Sequence, residues 1–116
     1  MAVRTFAAID VGSFELELGI YEMTYKTGIR RIDHIRHVIA LGKDTYSTGK
    51  ISYELVEEMC QVLEEFVQIM KSYKVKDYRA YATSAMREAH NRQIILDQIR
   101  VRTGLTVRSE EHTSEL

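Results

Sequence analysis

Asp10, Gly12 and Ser13 place a carboxylate, a glycine and a hydroxyl within four residues. A second stretch, Thr83-Ser84, adds two more hydroxyls, with Arg87 one helical turn later. These residue types hold phosphate. A carboxylate oxygen suits a hydrated Mg2+, a glycine lets the backbone bend so that amides converge on an anion, and a guanidinium fork matches phosphate oxygens. Spacing alone leaves a plainer reading open at each place: a tight turn with an Asp and a Ser, and a Ser-capped helix with a solvated Arg.

The elements around the first stretch are legible from hydrophobic period. An apolar run, Phe6 to Ile9, ends in Asp10. After Val11-Gly12-Ser13, residues Phe14, Leu16, Leu18 and Ile20 alternate with Glu15, Glu17, Gly19 and Tyr21, which predicts a half-buried strand and hence a β-hairpin. Ile29 to Leu41 predicts a third strand, with Ile35, Ile39 and Leu41 on one face and Ile32 and Val38 on the other. Asp33, His34 and His37 invite a metal reading. Neighbours on a strand face opposite ways, as do residues three apart, so the two histidines are read as solvated strand residues rather than ligands.

Gly42 to Ile51 predicts a surface loop, and its glycines do not match a P-loop because Ile51 follows Gly49-Lys50. Ser52 to Tyr73 is the longest regular element: Leu55, Met59, Val62, Phe66, Ile69 and Tyr73 recur at helical spacing, widened by Val56, Leu63, Val67 and Met70. Ser52 is the expected N-cap. Val75 to Thr83 predicts a strand that runs into helical turns at Ser84, where a helix start favours anions. Ile94, Ile95, Leu96, Ile99 and Val101 continue the helix to Gly104 in the C′ role, and Leu105 to Val107 begins another strand.

The bulk composition is that of an ordinary soluble domain: 116 residues, 45% apolar, 28% charged and a formal net charge of −1. Such a balance offers no basic field for nucleic acid or anionic membrane, and no apolar stretch approaches a membrane span. The one cysteine, Cys60, fits a reducing cytoplasm and falls in an apolar helical pattern, as a buried thiol would. Residues 108–116 break the rhythm, resemble a translated sequencing adapter, and are set aside as a non-native tail.

The order of elements, with Asp10-Val-Gly-Ser13 first and Ala82-Thr-Ser-Ala-Met-Arg-Glu-Ala-His-Asn91 after the fourth strand, resembles the Ppx/GppA phosphatase family. These are exopolyphosphatases and guanosine pentaphosphate phosphohydrolases. Leu41-Gly42 and Thr103-Gly104-Leu105 fit as well, so the resemblance covers residues 5–107. It implies an α/β, ribonuclease H-like fold of the actin/Hsp70/sugar-kinase superfamily, here a truncated half-domain with a mixed sheet in the order β-β-β-α-β-α. It also implies phosphate binding by Gly12, Ser13, Thr83, Ser84 and Arg87, and Mg2+ beside Asp10. The substrate would be polyphosphate or guanosine pentaphosphate, hydrolysed by water attack on the terminal phosphoryl group in a cytoplasmic protein that is a homodimer at full length.

Two departures from the family pattern stand out. Where the family usually has Asn, then Ser or Thr, and then an Arg two residues on, this chain has Phe14, Glu15 and Glu17. The family's catalytic glutamate lies in a Ser-Gly-Glu-Glu-Glu stretch; Glu110 and Glu111 imitate it but sit about two residues early and lack the preceding apolar strand. No catalytic residue is therefore assigned, and the 116 residues alone are expected to be inactive. A non-catalytic phosphate- or alarmone-binding relative is the alternative, and a sugar or acetate kinase of the same superfamily is the weaker one.

Overall fold

The computed structural model describes residues 3–109. Strands β1 (Val3–Val11) and β2 (Glu15–Thr24) form the expected antiparallel hairpin, with Val11 opposite Leu16 and Val3 opposite Thr24. Leu16, Leu18 and Ile20 are fully buried, as their alternation requires, but Phe14 stands in the turn and is 59% exposed. Strand β3 (Gly28–Val38) continues the antiparallel meander. The register slips by one residue: Ile20 faces Asp33 and Tyr21 faces Arg31, so Ile32 is the extra residue of a bulge. That slip lets Ile32 and Ile35, three apart and assigned to opposite faces by strict alternation, both pack against the core. Val38, the last residue of the strand, is exposed, and Leu41 belongs to the element that follows.

Strand β4 (Asp77–Ala82) lies parallel to β1, and the two-residue β5 (Arg108–Ser109) lies parallel to β4, giving the sheet order β3-β2-β1-β4-β5. β1 is therefore central, with β2 on one edge and β4 on the other. Arg108 and Ser109, set aside with the tail, pair here with Tyr81 and Ala82; Glu110 and Glu111 lie outside the described residues.

Helix α2 (Tyr53–Ser72) covers one face of the sheet. Ser52 caps it, its hydroxyl accepting from the Leu55 N–H at 3.3 Å. Val56, Met59, Cys60, Val62, Leu63, Phe66 and Met70 form the buried stripe against Ile9, Val11, Leu16 and Leu18. Burial also pushes the Cys60 thiol up in pKa, as for an inert core sulfur. Helix α4 (Arg92–Thr103) packs beside α2, and its Arg102 fork donates to Glu57 at 2.9 Å and Glu64 at 3.4 Å across the gap.

Two local expectations are overturned. Residues 41–48 are a helix, α1 (Leu41–Thr48), and not a loop. The hydroxyls that signal a loop are absorbed into it: Thr45 donates to the Leu41 carbonyl at 3.2 Å, Ser47 to Lys43 at 2.8 Å and Thr48 to Asp44 at 2.8 Å. Leu41 and Thr45 bury the inner side, and Asp44 accepts the Ser52 N–H at 3.1 Å, tying α1 to the start of α2. The second correction concerns the segment after β4. It is two helices, α3 (Ser84–Glu88) and α4, because tertiary bonds outcompete helix continuation at the join. The His90 N–H donates to the Gly49 carbonyl at 2.7 Å, and the Asn91 amide donates to the Ile51 carbonyl at 3.0 Å while accepting from its N–H at 3.2 Å. Only Ile95 and Ile99 of α4 are buried; Ile94 and Val101 face water. Gly104 takes the left-handed C′ position, as read from the sequence.

The edge strand β3 is fastened by polar pairs. On the helix side, the Tyr73 hydroxyl donates to Asp33 at 2.7 Å and His37 Nε2 lies 2.8 Å from Glu58. On the other face, His34 Nε2 lies 2.7 Å from Glu17 and Arg36 Nε lies 2.6 Å from Glu15, an ion contact without hydrogen-bond alignment. His34 and His37 thus face opposite ways as read, but each meets a glutamate rather than solvent alone.

The Tyr73 hydroxyl, and next the His34 N–H, hold the Asp33 carboxyl below its ordinary 3.8. A depressed carboxyl stabilises the fold above its unfolded pKa, and that contribution fades as pH falls through the folded value. The stability difference between wild type and Tyr73→Phe should therefore be full near neutrality and shrink below about pH 4. Denaturant titrations at a series of pH values read it, and a difference constant with pH would contradict the bond.

Candidate functional site

Because β1 and β4 are parallel neighbours, the turns that leave them lie side by side at one edge of the sheet, the place where open α/β sheets present ligand sites. The Thr83 N–H donates to the Val11 carbonyl at 3.0 Å, and its hydroxyl donates to the same oxygen at 3.3 Å. The start of α1 closes on the first turn: the Gly42 N–H donates to the Ser13 carbonyl at 2.7 Å, and the Ile39 N–H to Phe14 at 3.0 Å. A Cβ on Gly42 would come within 3.0 Å of the Tyr46 ring and 3.1 Å of Ser13 Cβ, so the approach depends on glycine.

At the centre stands Tyr46. Its hydroxyl lies 3.3 Å from Ser13 Oγ and 2.6 Å from Ser84 Oγ. The Ser13 hydrogen bond, and then that from Ser84, lower the Tyr46 pKa; the Arg87 charge adds to this and Glu88 opposes it. Ser13 and Ser84, which are 71 positions apart (84 − 13), therefore meet at one phenol oxygen.

The other expected ligands are arranged differently. The Gly12 N–H is used inside the hairpin, donating to the Glu15 carbonyl at 2.9 Å, so it does not point at an anion. The Thr83 hydroxyl is turned onto β1. Helix α3 has five residues, too few for an appreciable dipole, so Ser84 and Arg87 act through their side chains.

Asp10 sits between Glu17 on β2 and Tyr81 on β4 and is exposed on the sheet face away from α2. It lines a depression of about 410 Å3 with Glu17, Tyr21, His34 and Tyr81. Among the described residues no three His, Cys, Asp or Glu groups gather into a metal cage. Asp10 with Glu17 across the strand pair still fits Mg2+, which takes one or two carboxylates and completes its shell with water and substrate phosphate. The charge of Glu15 is offset by Arg36 on β3, and Glu17 meets His34 Nε2 at 2.7 Å.

Residues 20–109 match the model of the Ppx/GppA phosphatase family. The chain belongs to this family. Exopolyphosphatase 1 of Mycobacterium leprae is 30% identical over 98 residues, which cover 84% of this chain and 29% of the relative. Exopolyphosphatase 1 of Mycobacterium tuberculosis is 27% identical over 101 residues, 87% of this chain and 29% of its own length. The Ppx/GppA family member of Aquifex aeolicus superposes with a TM-score of 0.89 at 29% identity, covering 93% of this chain and 35% of that one. This chain thus spans under a third of the length of the curated Ppx/GppA relatives. The fold is the family's actin-like α/β fold, with the elements in the order β-β-β-α-α-β-α-α-β because α1, α3 and the short β5 add to the expected series.

Sequence reasoning missed Tyr46. It falls in a Ser/Thr-rich stretch with no apolar period, and its partners lie 33 and 38 positions away. The only local sign was its position one helical turn after Gly42, meaningful once that stretch is known to be helical.

Proposed function

We propose that the full-length Ppx/GppA protein containing this chain is a phosphoanhydride hydrolase that releases terminal phosphate from inorganic polyphosphate or guanosine pentaphosphate by water attack. The supporting observation is the meeting of Ser13 and Ser84 at the Tyr46 hydroxyl, beside the adjacent ends of β1 and β4. In this reading Ser13 and Ser84 hold the phosphoryl oxygens and Arg87 adds a positive charge where negative charge accumulates in the transition state. Asp10 holds Mg2+, which when bound offsets phosphate charge. Gly12 and Thr83 support the two turns from behind. A homodimer in a reducing cytoplasm completes the reading, and the buried Cys60 thiol is compatible with that compartment. Among the described residues no helix is long and apolar enough to cross a membrane.

The test is phosphate release by the full-length protein with Mg2+, comparing long-chain polyphosphate with guanosine pentaphosphate. Ser13→Ala should lower turnover by roughly 10²-fold, in the range that loss of one transition-state donor produces, and the 116 residues alone should release none. A full-length protein that binds either ligand without turnover would support the second reading, a regulatory relative. That alternative is favoured by Phe14, which offers an exposed ring where the family carries a polar donor.

A further inference from the structure

The three hydroxyls of Ser13, Tyr46 and Ser84 carry three protons, yet only two hydrogen bonds join them. One proton is left over, and the other two are held in bonds among neutral groups that an anion would displace. Hydrogen bonds to an ionised acceptor are about twice as strong as neutral ones. All three hydroxyls are therefore better satisfied by rotating toward a bound phosphoryl group than by facing one another. The terminal phosphoryl of a linear polyphosphate has three non-bridging oxygens. A phosphate inside a chain or ring has two.

We propose that Tyr46 completes a three-hydroxyl cradle with Ser13 and Ser84 that selects the terminal phosphoryl group over an internal one. The inference rests on the phosphate-binding reading above and goes beyond it by assigning end-selectivity to a tyrosine on α1. Tyr46 is suited to the task because its ring lies close against Gly42 while 55% of the residue stays open to solvent. The same residue fixes the spacing of the two turns before substrate arrives, so the ordering is done in advance.

Isothermal titration of the full-length protein with linear tripolyphosphate and with cyclic trimetaphosphate tests this. Trimetaphosphate has no terminal phosphoryl group. Tyr46→Phe keeps the ring and removes only the hydroxyl; it should weaken tripolyphosphate binding about tenfold and leave trimetaphosphate nearly unchanged. Ser84→Ala, at the other end of the cradle, should reduce the same linear-over-ring preference, and it decides the matter if the phenylalanine variant folds poorly. Equal weakening of both ligands by these variants would mean the hydroxyls serve structure alone and would overturn the proposal. So would a Tyr46→Phe protein that binds tripolyphosphate like wild type while Ser84→Ala does not; the phosphate-binding reading would then survive. A wild-type protein that binds neither ligand would remove both.

Discussion

Phe66→Ala should destabilise the folded state by about 3–5 kcal/mol, the range for emptying a large aromatic site in a close-packed core. Phe66 is 2% exposed and is the largest side chain of the stripe that α2 presses onto the sheet. The ring shares its stripe with fully buried Leu63 and Met59, residues of the same helix that have little freedom to collapse into a gap. The loss should appear as a lower denaturation midpoint at unchanged m value. Gln68→Ala, two positions along on the exposed side of α2, should stay within about 0.5 kcal/mol of wild type. A small loss at Phe66 would mean that the helix stripe is not the core.

Gly42→Val should lower turnover. Its branched side chain would meet Tyr46, Ser13 and Phe14, all within 3.3 Å of the first carbon added. The tyrosine ring can swing aside, but Ser13 is held through the Gly42 N–H at 2.7 Å, so the turn itself must move. Displacing a binding group by about 1 Å can reduce turnover on the order of 10²-fold. Phosphate release by the full-length protein should fall by that order in Gly42→Val and less in Gly42→Ala. Undiminished release would show that the close approach of α1 to the first turn is dispensable.

The hairpin, α2 and β4 were legible from sequence because each buries one face at a single, regular period. Leu16, Leu18 and Ile20 at every second position, and Met59, Leu63, Phe66 and Met70 at helical spacing, leave little room for another structure. Helix α1 was not legible, since it buries only Leu41, Gly42 and Thr45 and is otherwise composed of residues that favour turns. What makes it a helix is tertiary: the Asp44 bond to Ser52 and the docking of Gly42 on Ser13. The break before α4 is equally non-local, being set by the hold of Asn91 on Ile51 forty positions away. Of the candidate site, the residue types and both turns could be read along the chain. The use of the Gly12 amide within the hairpin, the hydroxyl of Thr83 directed back at β1, and the part played by Tyr46 depend on distances in space that no local spacing encodes.

The bond from Thr83 to the Val11 carbonyl joins positions 72 apart, and this separation fixes when the binding edge exists. The meander of β1, β2 and β3 closes through short turns, whereas β4 reaches β1 only after the intervening chain has been looped back, a step opposed by closure entropy and slow in proportion to its sequence span. A nascent polypeptide emerging no further than α2 already holds Ser13 and Tyr46, yet half of the grip is missing. The edge at which Ser13, Tyr46 and Ser84 meet therefore forms all at once, with the docking of a single late strand.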